Sequence, residues 1–187
     1  MVWKSIVFIA ALAIAWPRAA EARQTAVPSN LEVPAGVSAF LTAQAEGTQN
    51  YICLKSQGFA WTFWGPQATL FNGDQQIISH YLSANPVEGG AARATWQSSS
   101  ESSTIWAAAI ANSTDPNYVE AGAIPWLLLR VVGSQVGPSG GATLTGTVYI
   151  QRVNTSGGIA PATGCKSAED VGKKALVPYT TDYVFYK

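Results

Sequence analysis

Apolar and polar residues alternate with a period of two along most of the chain. That is the spacing of half-buried strands, not of helices. In FAWTFW (59–64), Phe59, Trp61 and Phe63 fall on one face and Ala60, Thr62 and Trp64 on the other. In TLTGTVYIQ (143–151), Leu144, Val148 and Ile150 oppose Thr143, Thr145, Thr147, Tyr149 and Gln151, which predicts a strand with one dry and one wet face. DYVFY (182–186) sets Tyr183 and Phe185 against Val184 and Tyr186. Further strands are predicted at SAFLTAQ (38–44), YICLK (51–55), TLF (69–71), QIISHYL (76–82), TIWAAAI (104–110) and WLLLRVV (126–132). Gly, Pro and Asn punctuate them, and Asn72-Gly73 is the strongest hairpin signal because both residues tolerate positive φ. Ser167-Ala168-Glu169-Asp170 has a capping-box pattern, and Gly172 closes it within about a turn. Many short strands with regular punctuation predict a single all-β domain, an antiparallel sandwich or barrel with one short helical turn.

The amino terminus departs from this pattern. Lys4 precedes an apolar run from Ile6 to Trp16, Pro17 breaks it, and Ala20-Glu21-Ala22 has the small-x-small form of a cleavage site. This is the pattern of a secretory signal peptide at 1–22, cleaved after about Ala22. The run is shorter than the roughly 20 residues a spanning helix needs, so an integral membrane protein is not expected. Residues 23–35, rich in Pro and small polar side chains, form an extended lead-in to a domain at 36–187. The expected localisation is secreted or periplasmic.

Composition agrees with export. Charged residues make up 12% of the chain, against a usual ~25%. Removing residues 1–22 leaves 9 basic and 10 acidic residues, so no basic excess exists to neutralise phosphates and nucleic acid is not an expected partner. The two cysteines, Cys53 and Cys165, both lie in the exported part and are expected to form one disulfide. Together with the single histidine, His80, they are too few and too scattered for a metal site, and no metal or other cofactor is expected.

Candidate chemistry is sparse. No spacing places two carboxylates on one strand face, as glycosidic hydrolysis would use. No G-x-S-x-G is present, and Ser79 and His80, as strand neighbours, point to opposite faces. No catalytic residue is therefore assigned. Five candidates remain for ligand binding. His80 follows Ile77-Ile78 and is either a hydrogen-bonded strand residue or a polar group in a cleft. Trp64, beside Gly65-Pro66, and Trp96, flanked by polar residues, are the tryptophans placed to stack on a sugar. Arg152 and Asn154 lead into the Gly157-Gly158 loop that ends at Cys165. There Arg152 either holds a ligand carboxylate or pairs with an acid such as Asp182, and Asn154 caps the turn. Asn112-Ser-Thr and Asn154-Thr-Ser are glycan acceptors only in a eukaryotic secretory route.

Four stretches, FAWTFWGPQATLF (59–71), GAIPWLLL (122–129), YIQRVNTSGGIAPATGC (149–165) and VPYTTDYVFYK (177–187), resemble the secreted family catalogued as domain of unknown function number 3455. The resemblance runs from about Val33 to Lys187. The family's cysteine pair falls on Cys53 and Cys165, which supports the bridge. Its H-Y and T-W pairs fall on His80-Tyr81 and Thr95-Trp96, separated here by an insertion at 82–94, and its acidic pair becomes Gln97 and Ser99 or Ser100. The family brings no established activity. Some members carry dehydrogenase labels, but this chain has no G-x-G-x-x-G after a strand and no βαβ alternation, which contradicts a nicotinamide-dependent enzyme. The expected function is that of a non-catalytic exported protein binding a small ligand or cell-envelope component. The alternative is a carbohydrate-binding module or an extracytoplasmic glycan hydrolase.

Overall fold

The computed structural model describes residues 26–187; the signal-like segment lies outside them. Eight strands follow one another: β1 (Ala39–Leu54), β2 (Ala60–Asn72), β3 (Gln75–Asn85), β4 (Ala91–Ser98), β5 (Thr104–Ser113), β6 (Trp126–Gln135), β7 (Tyr149–Gly157) and β8 (Lys174–Tyr186). Each pairs antiparallel with the next, and β8 returns to pair with β1, so the sheet is a closed up-and-down barrel. Closure depends on length. The 16-residue β1 pairs with β2 over Gln44–Leu54 and with β8 over Ala39–Ile52, leaving no free edge to template aggregation. Of the two architectures expected, the barrel is the one formed.

The strands are longer than the sequence pattern suggests. SAFLTAQ and YICLK belong to one strand, joined through the polar segment Glu46–Asn50. Gly47 permits this, because a Cβ there would lie 2.1 Å from the Gln67 carbonyl oxygen of β2. The predicted strand at 143–151 begins only at Tyr149. Residues 143–147 form a turn held by Thr147 Oγ1 donating to the Leu144 carbonyl at 2.7 Å. Val148, expected in the core, is 40% exposed. The Asn72-Gly73 hairpin forms as expected, with Gly73 at φ 57°. So does the capping box, at the 3-10 turn Ala168–Asp170.

The barrel has two unlike ends. At the lower end, reached by the short connections 73–74 and 99–103 and the longer 136–148, most of the interior is filled, with a smaller space of about 190 Å3 beside Ile78 and Leu144. Leu70, Ile78, Ile105, Ile150 and Phe185 are buried there, and Leu144 plugs the opening, its backbone N–H donating to Ser103 Oγ at 3.1 Å. At the upper end the strands part. The β2–β3 ladder stops at Ala68↔His80 and the β4–β5 ladder at Ala94↔Ala107.

A second apolar layer lies outside the wall. Leu31, from the 3-10 turn Ser29–Leu31, is fully buried against Trp126, Leu128 and Val153, and its carbonyl accepts from Gln151 Nε2 at 2.6 Å. Cys53 and Cys165 are bonded, with Cα atoms 5.5 Å apart, so the 158–173 connection is fastened to β1 at the upper end. Trp61 Nε1 donates to the Thr163 carbonyl at 2.8 Å and reinforces that anchorage. Among the described residues, no helix is long and apolar enough to cross a membrane.

Candidate functional site

The alternation that fills the lower half leaves a cavity in the upper half. Apart from Arg93 and Trp96, the β4 and β5 residues that line it are alanines: Ala92 and Ala94 on β4, Ala107, Ala108 and Ala109 on β5. Alanine leaves space where leucine would pack, and a cavity of about 290 Å3 results. An eight-stranded barrel is just wide enough either to be filled by side chains or to hold one small ligand. This barrel does the first at one end and has room for the second at the other.

Three of the five candidates meet at the base of this cavity. His80 lies on β3, Trp96 on β4 and Arg152 on β7, and all three line it together with Tyr183 of β8 and Gln49 of β1. His80 and Trp96 are stacked, with ring centroids 4.2 Å apart and an angle of 16°. Tyr183 meets both rings edge-on, at 5.2 and 5.4 Å. His80 is buried, and that burial lowers its pKa to about 3. The ring is therefore neutral at physiological pH. Nδ1 lies 2.8 Å from the Thr95 carbonyl, which can only accept, so Nδ1 carries the proton and Nε2 is a bare acceptor.

Arg152 pairs with no carboxylate among the described residues. Its Nε and Nη2 donate to the Pro125 carbonyl, at 3.2 and 2.8 Å, which ties β7 to the 114–125 connection. Asp182, the partner expected for it, instead accepts from Asn154 Nδ2 at 2.8 Å. Asn154 explains the exchange. It sits in the left-handed region at φ 53°, where the β7–β8 register shifts, and its side chain is turned to the exposed outer side. Asn154 thus belongs to the outer wall rather than to the cavity, and Arg152 is free of the ion pair.

Trp64 is also apart from the cavity. It is 51% exposed, with Lys174 Nζ 4.1 Å from its ring centroid. It lines an outer groove of about 890 Å3 where β2 and β3 separate, with Asn50, Gln67 and Tyr81. Pro66, His80, Leu82 and Ala92 border both spaces, so the groove and the cavity adjoin at the parted seam.

Polar groups at the cavity are incompletely paired. Trp96 Nε1 is buried without a hydrogen-bond partner, and Gln49 Nε2 and the Tyr179 hydroxyl, which lie against each other and against Tyr183, meet no partner in good hydrogen-bond geometry. Burial raises the pKa of both tyrosines, so both are neutral phenols. A buried donor left unpaired costs about 1–3 kcal/mol, and native interiors contain few. Among the described residues, Gln49 and Trp96 line the cavity, whereas the unpaired Thr62 Oγ1 and Trp126 Nε1 belong to residues outside its lining. The groove lining holds one carboxylate, Glu46, and the cavity lining none.

Gln49, Tyr183 and the alanines were not among the sequence candidates. Gln49 was legible in principle: Ala43, Ala45, Gly47 and Gln49 share the inward face of β1, and a glutamine on an otherwise small, apolar face is a signal. The loop after β7 shapes the same region. Gly158 sits at φ 84°, and a Cβ there would come within 3.0–3.1 Å of Ile124, Tyr179 and Gln49. The Gly-Gly pair thus lets the chain pass over Gln49 and Tyr179 on its way to Cys165.

A family model described as "Protein of unknown function (DUF3455)" matches residues 34–187. The chain belongs to that family. The match takes in all eight strands, both cysteines and every cavity residue of this DUF3455 chain. No curated protein and no solved structure matches the chain.

Proposed function

We propose that this barrel is a non-catalytic, exported receptor for one small, mostly apolar molecule, held in the upper cavity and admitted through the parted β2–β3 seam. The observation that carries the reading is a cavity walled by alanines that keeps Trp96 Nε1 and Gln49 Nε2 buried and unpaired. Its volume is at the lower end of the ~300–1,000 Å3 range of ligand pockets, which suits a ligand of roughly one ring. The lack of a facing carboxylate pair in either lining favours binding over glycosidic hydrolysis. Export is part of the reading, supported by the signal pattern at 1–22 and by the disulfide.

Thermal shift of the oxidised protein against a library of ring-sized compounds tests it. A ligand present at 100 times its Kd adds about 2.7 kcal/mol of stability. Ala94→Leu, which puts bulk into the cavity, should abolish the shifts given by wild-type ligands. Ligands that shift Ala94→Leu as strongly as wild type would place binding elsewhere.

A second reading rests on Trp64. An exposed tryptophan in a groove with Asn50, Gln67 and Tyr81 has the make-up of a sugar-stacking surface, although Lys174 covers one face of the ring. On this reading Trp64→Ala removes glycan retention and leaves small-molecule shifts intact.

A further inference from the structure

We infer that the ligand of the upper cavity carries a carboxylate, taken up by Arg152. The inference rests on the receptor reading above and adds the ligand's charge and polar group. Its basis is an imbalance of groups at the cavity. Two arginines line it and no acid does. Arg93 is neutralised, because its Nε and Nη2 bind both carboxylate oxygens of Glu88 at 2.8 and 2.9 Å. Arg152 has no such partner.

The geometry of the Arg152 contacts sharpens the point. The Pro125 carbonyl uses the side edge of the guanidinium, formed by Nε and Nη2. The end-on edge, one N–H from each terminal nitrogen, is not used by that carbonyl and meets no carboxylate among the described residues; the Tyr183 hydroxyl lies within hydrogen-bond reach of the guanidinium. That edge is the fork that receives a carboxylate with two parallel hydrogen bonds. A guanidinium fixed on its far side by a backbone carbonyl is also preorganised, so little side-chain entropy is lost on binding.

The neighbours are donors as well. The Tyr183 hydroxyl, Gln49 Nε2 and Trp96 Nε1 each offer a hydrogen; Trp96 Nε1 has no acceptor within the protein, and Gln49 Nε2 has only the poorly aligned Tyr179 hydroxyl beside it. Against them stand acceptors that carry no charge, the His80 Nε2 lone pair and the Gln49 amide oxygen among them. A donor-rich site with one uncompensated cation is complementary to an anion. The remaining lining, Ala94, Ala107, Leu127, Leu129, Phe63 and Leu82, is apolar and receives the hydrocarbon part. The ligand class is thus a small carboxylic acid with a ring or short chain behind the acid group.

Isothermal titration of the oxidised protein with benzoate and benzamide, and with hexanoate and hexanamide, separates the two claims. The expected result is that an acid binds about ten- to a hundredfold more tightly than its amide, the size of a charge-assisted hydrogen-bond pair. Arg152→Gln should abolish that preference while the amide keeps its affinity, and Arg152→Lys should restore part of it. Near-UV circular dichroism checks that each variant is folded. The wild-type ratio decides the matter even where a variant fails to fold. Acid and amide binding equally would overturn the carboxylate inference and leave the receptor reading intact. An acid preference that survives in folded Arg152→Gln would overturn the assignment to Arg152. Failure of both acids and both amides to bind at millimolar concentration would overturn the receptor reading, and the inference with it.

Discussion

His80 makes the site testable through stability alone. It is the chain's single histidine, buried and neutral, with a pKa lowered to about 3 against about 6.5 when unfolded. A histidine whose folded pKa is depressed takes up its proton in the unfolded state first. Stability is therefore full above pH 6.5 and falls as pH drops toward 3, with a slope approaching 1.36 kcal/mol per pH unit. Between pH 7.5 and pH 5 the loss is about 2 kcal/mol, or roughly 4–8 °C in Tm for a domain of this size. The depressed carboxylates do not confuse this window. Glu88, held to about 2 by Arg93, and Asp170, held low by Lys173, lose their contribution only as pH falls below about 4.5. The groups packed against His80 are Trp96, Tyr183 and the Thr95 carbonyl, with the Arg152 guanidinium nearby; the Tyr183 hydroxyl, its pKa raised by burial, stays protonated between pH 5 and 7.5. His80→Asn keeps a donor for the Thr95 carbonyl and removes the titration. Urea unfolding followed by tryptophan fluorescence at pH 5, 6 and 7.5 provides the assay. The variant should be less stable at pH 7.5, because the stacked ring is lost, yet nearly flat across the series. If both proteins lose the same ~2 kcal/mol, the acid sensitivity comes from elsewhere and His80 is not held neutral in the way described.

Two further outcomes follow from the same structure. Cys165→Ser opens a link spanning 112 residues and should cost roughly 4–5 kcal/mol, seen as a large drop in Tm under non-reducing conditions; an unchanged Tm would refute the bridge's role. Leu144→Ala empties the lower plug and should cost about 2–5 kcal/mol in chemical unfolding, while ligand shifts at the upper cavity persist; loss of binding in a folded variant would contradict the independence of the two ends.

Much of the fold can be read from period-two alternation. It places Tyr183 and Phe185 on one face, and both are buried inside the barrel. It does not reveal closure, because a sandwich and a barrel share the same in–out pattern; the pairing of β1 with β8, from Ile52↔Lys174 to Ala39↔Tyr186, joins residues far apart in sequence. It misplaces residues 143–147 because Leu144 and Ile150 are both core residues, yet one arrives from a turn and the other from a strand. The candidate site is legible in part for a similar reason. His80, Trp96 and Arg152 stand out as rare residue types at strand positions. Asn154 shares that distinction, but its left-handed backbone turns it outward, and no spacing rule contains that reversal. The alanines of β5 read only as part of a strand; their meaning, empty volume, exists only once the opposing strands are in place.

The contrast between the two ends also explains how a protein with so few ions tolerates an unfilled interior. Side chains at the lower end, the Leu31 layer outside the wall, and the Cys53–Cys165 link all stabilise the barrel without using the upper cavity. The upper residues are thereby released from packing duty. Ala94 and Ala107 stay small, Arg152 stays without a counter-charge, and Trp96 Nε1 stays unpaired, each at some cost to stability. Unpaired groups also occur at Thr62 Oγ1 and Trp126 Nε1, but at the upper cavity they adjoin small side chains and an arginine without a carboxylate, which on the receptor reading is a binding site kept open by the scaffold around it. Were the cavity only a packing fault, larger side chains at Ala94 or Ala107 would be pure gain. On the receptor reading they gain stability and lose the ligand, and those two measurements on one variant separate the alternatives.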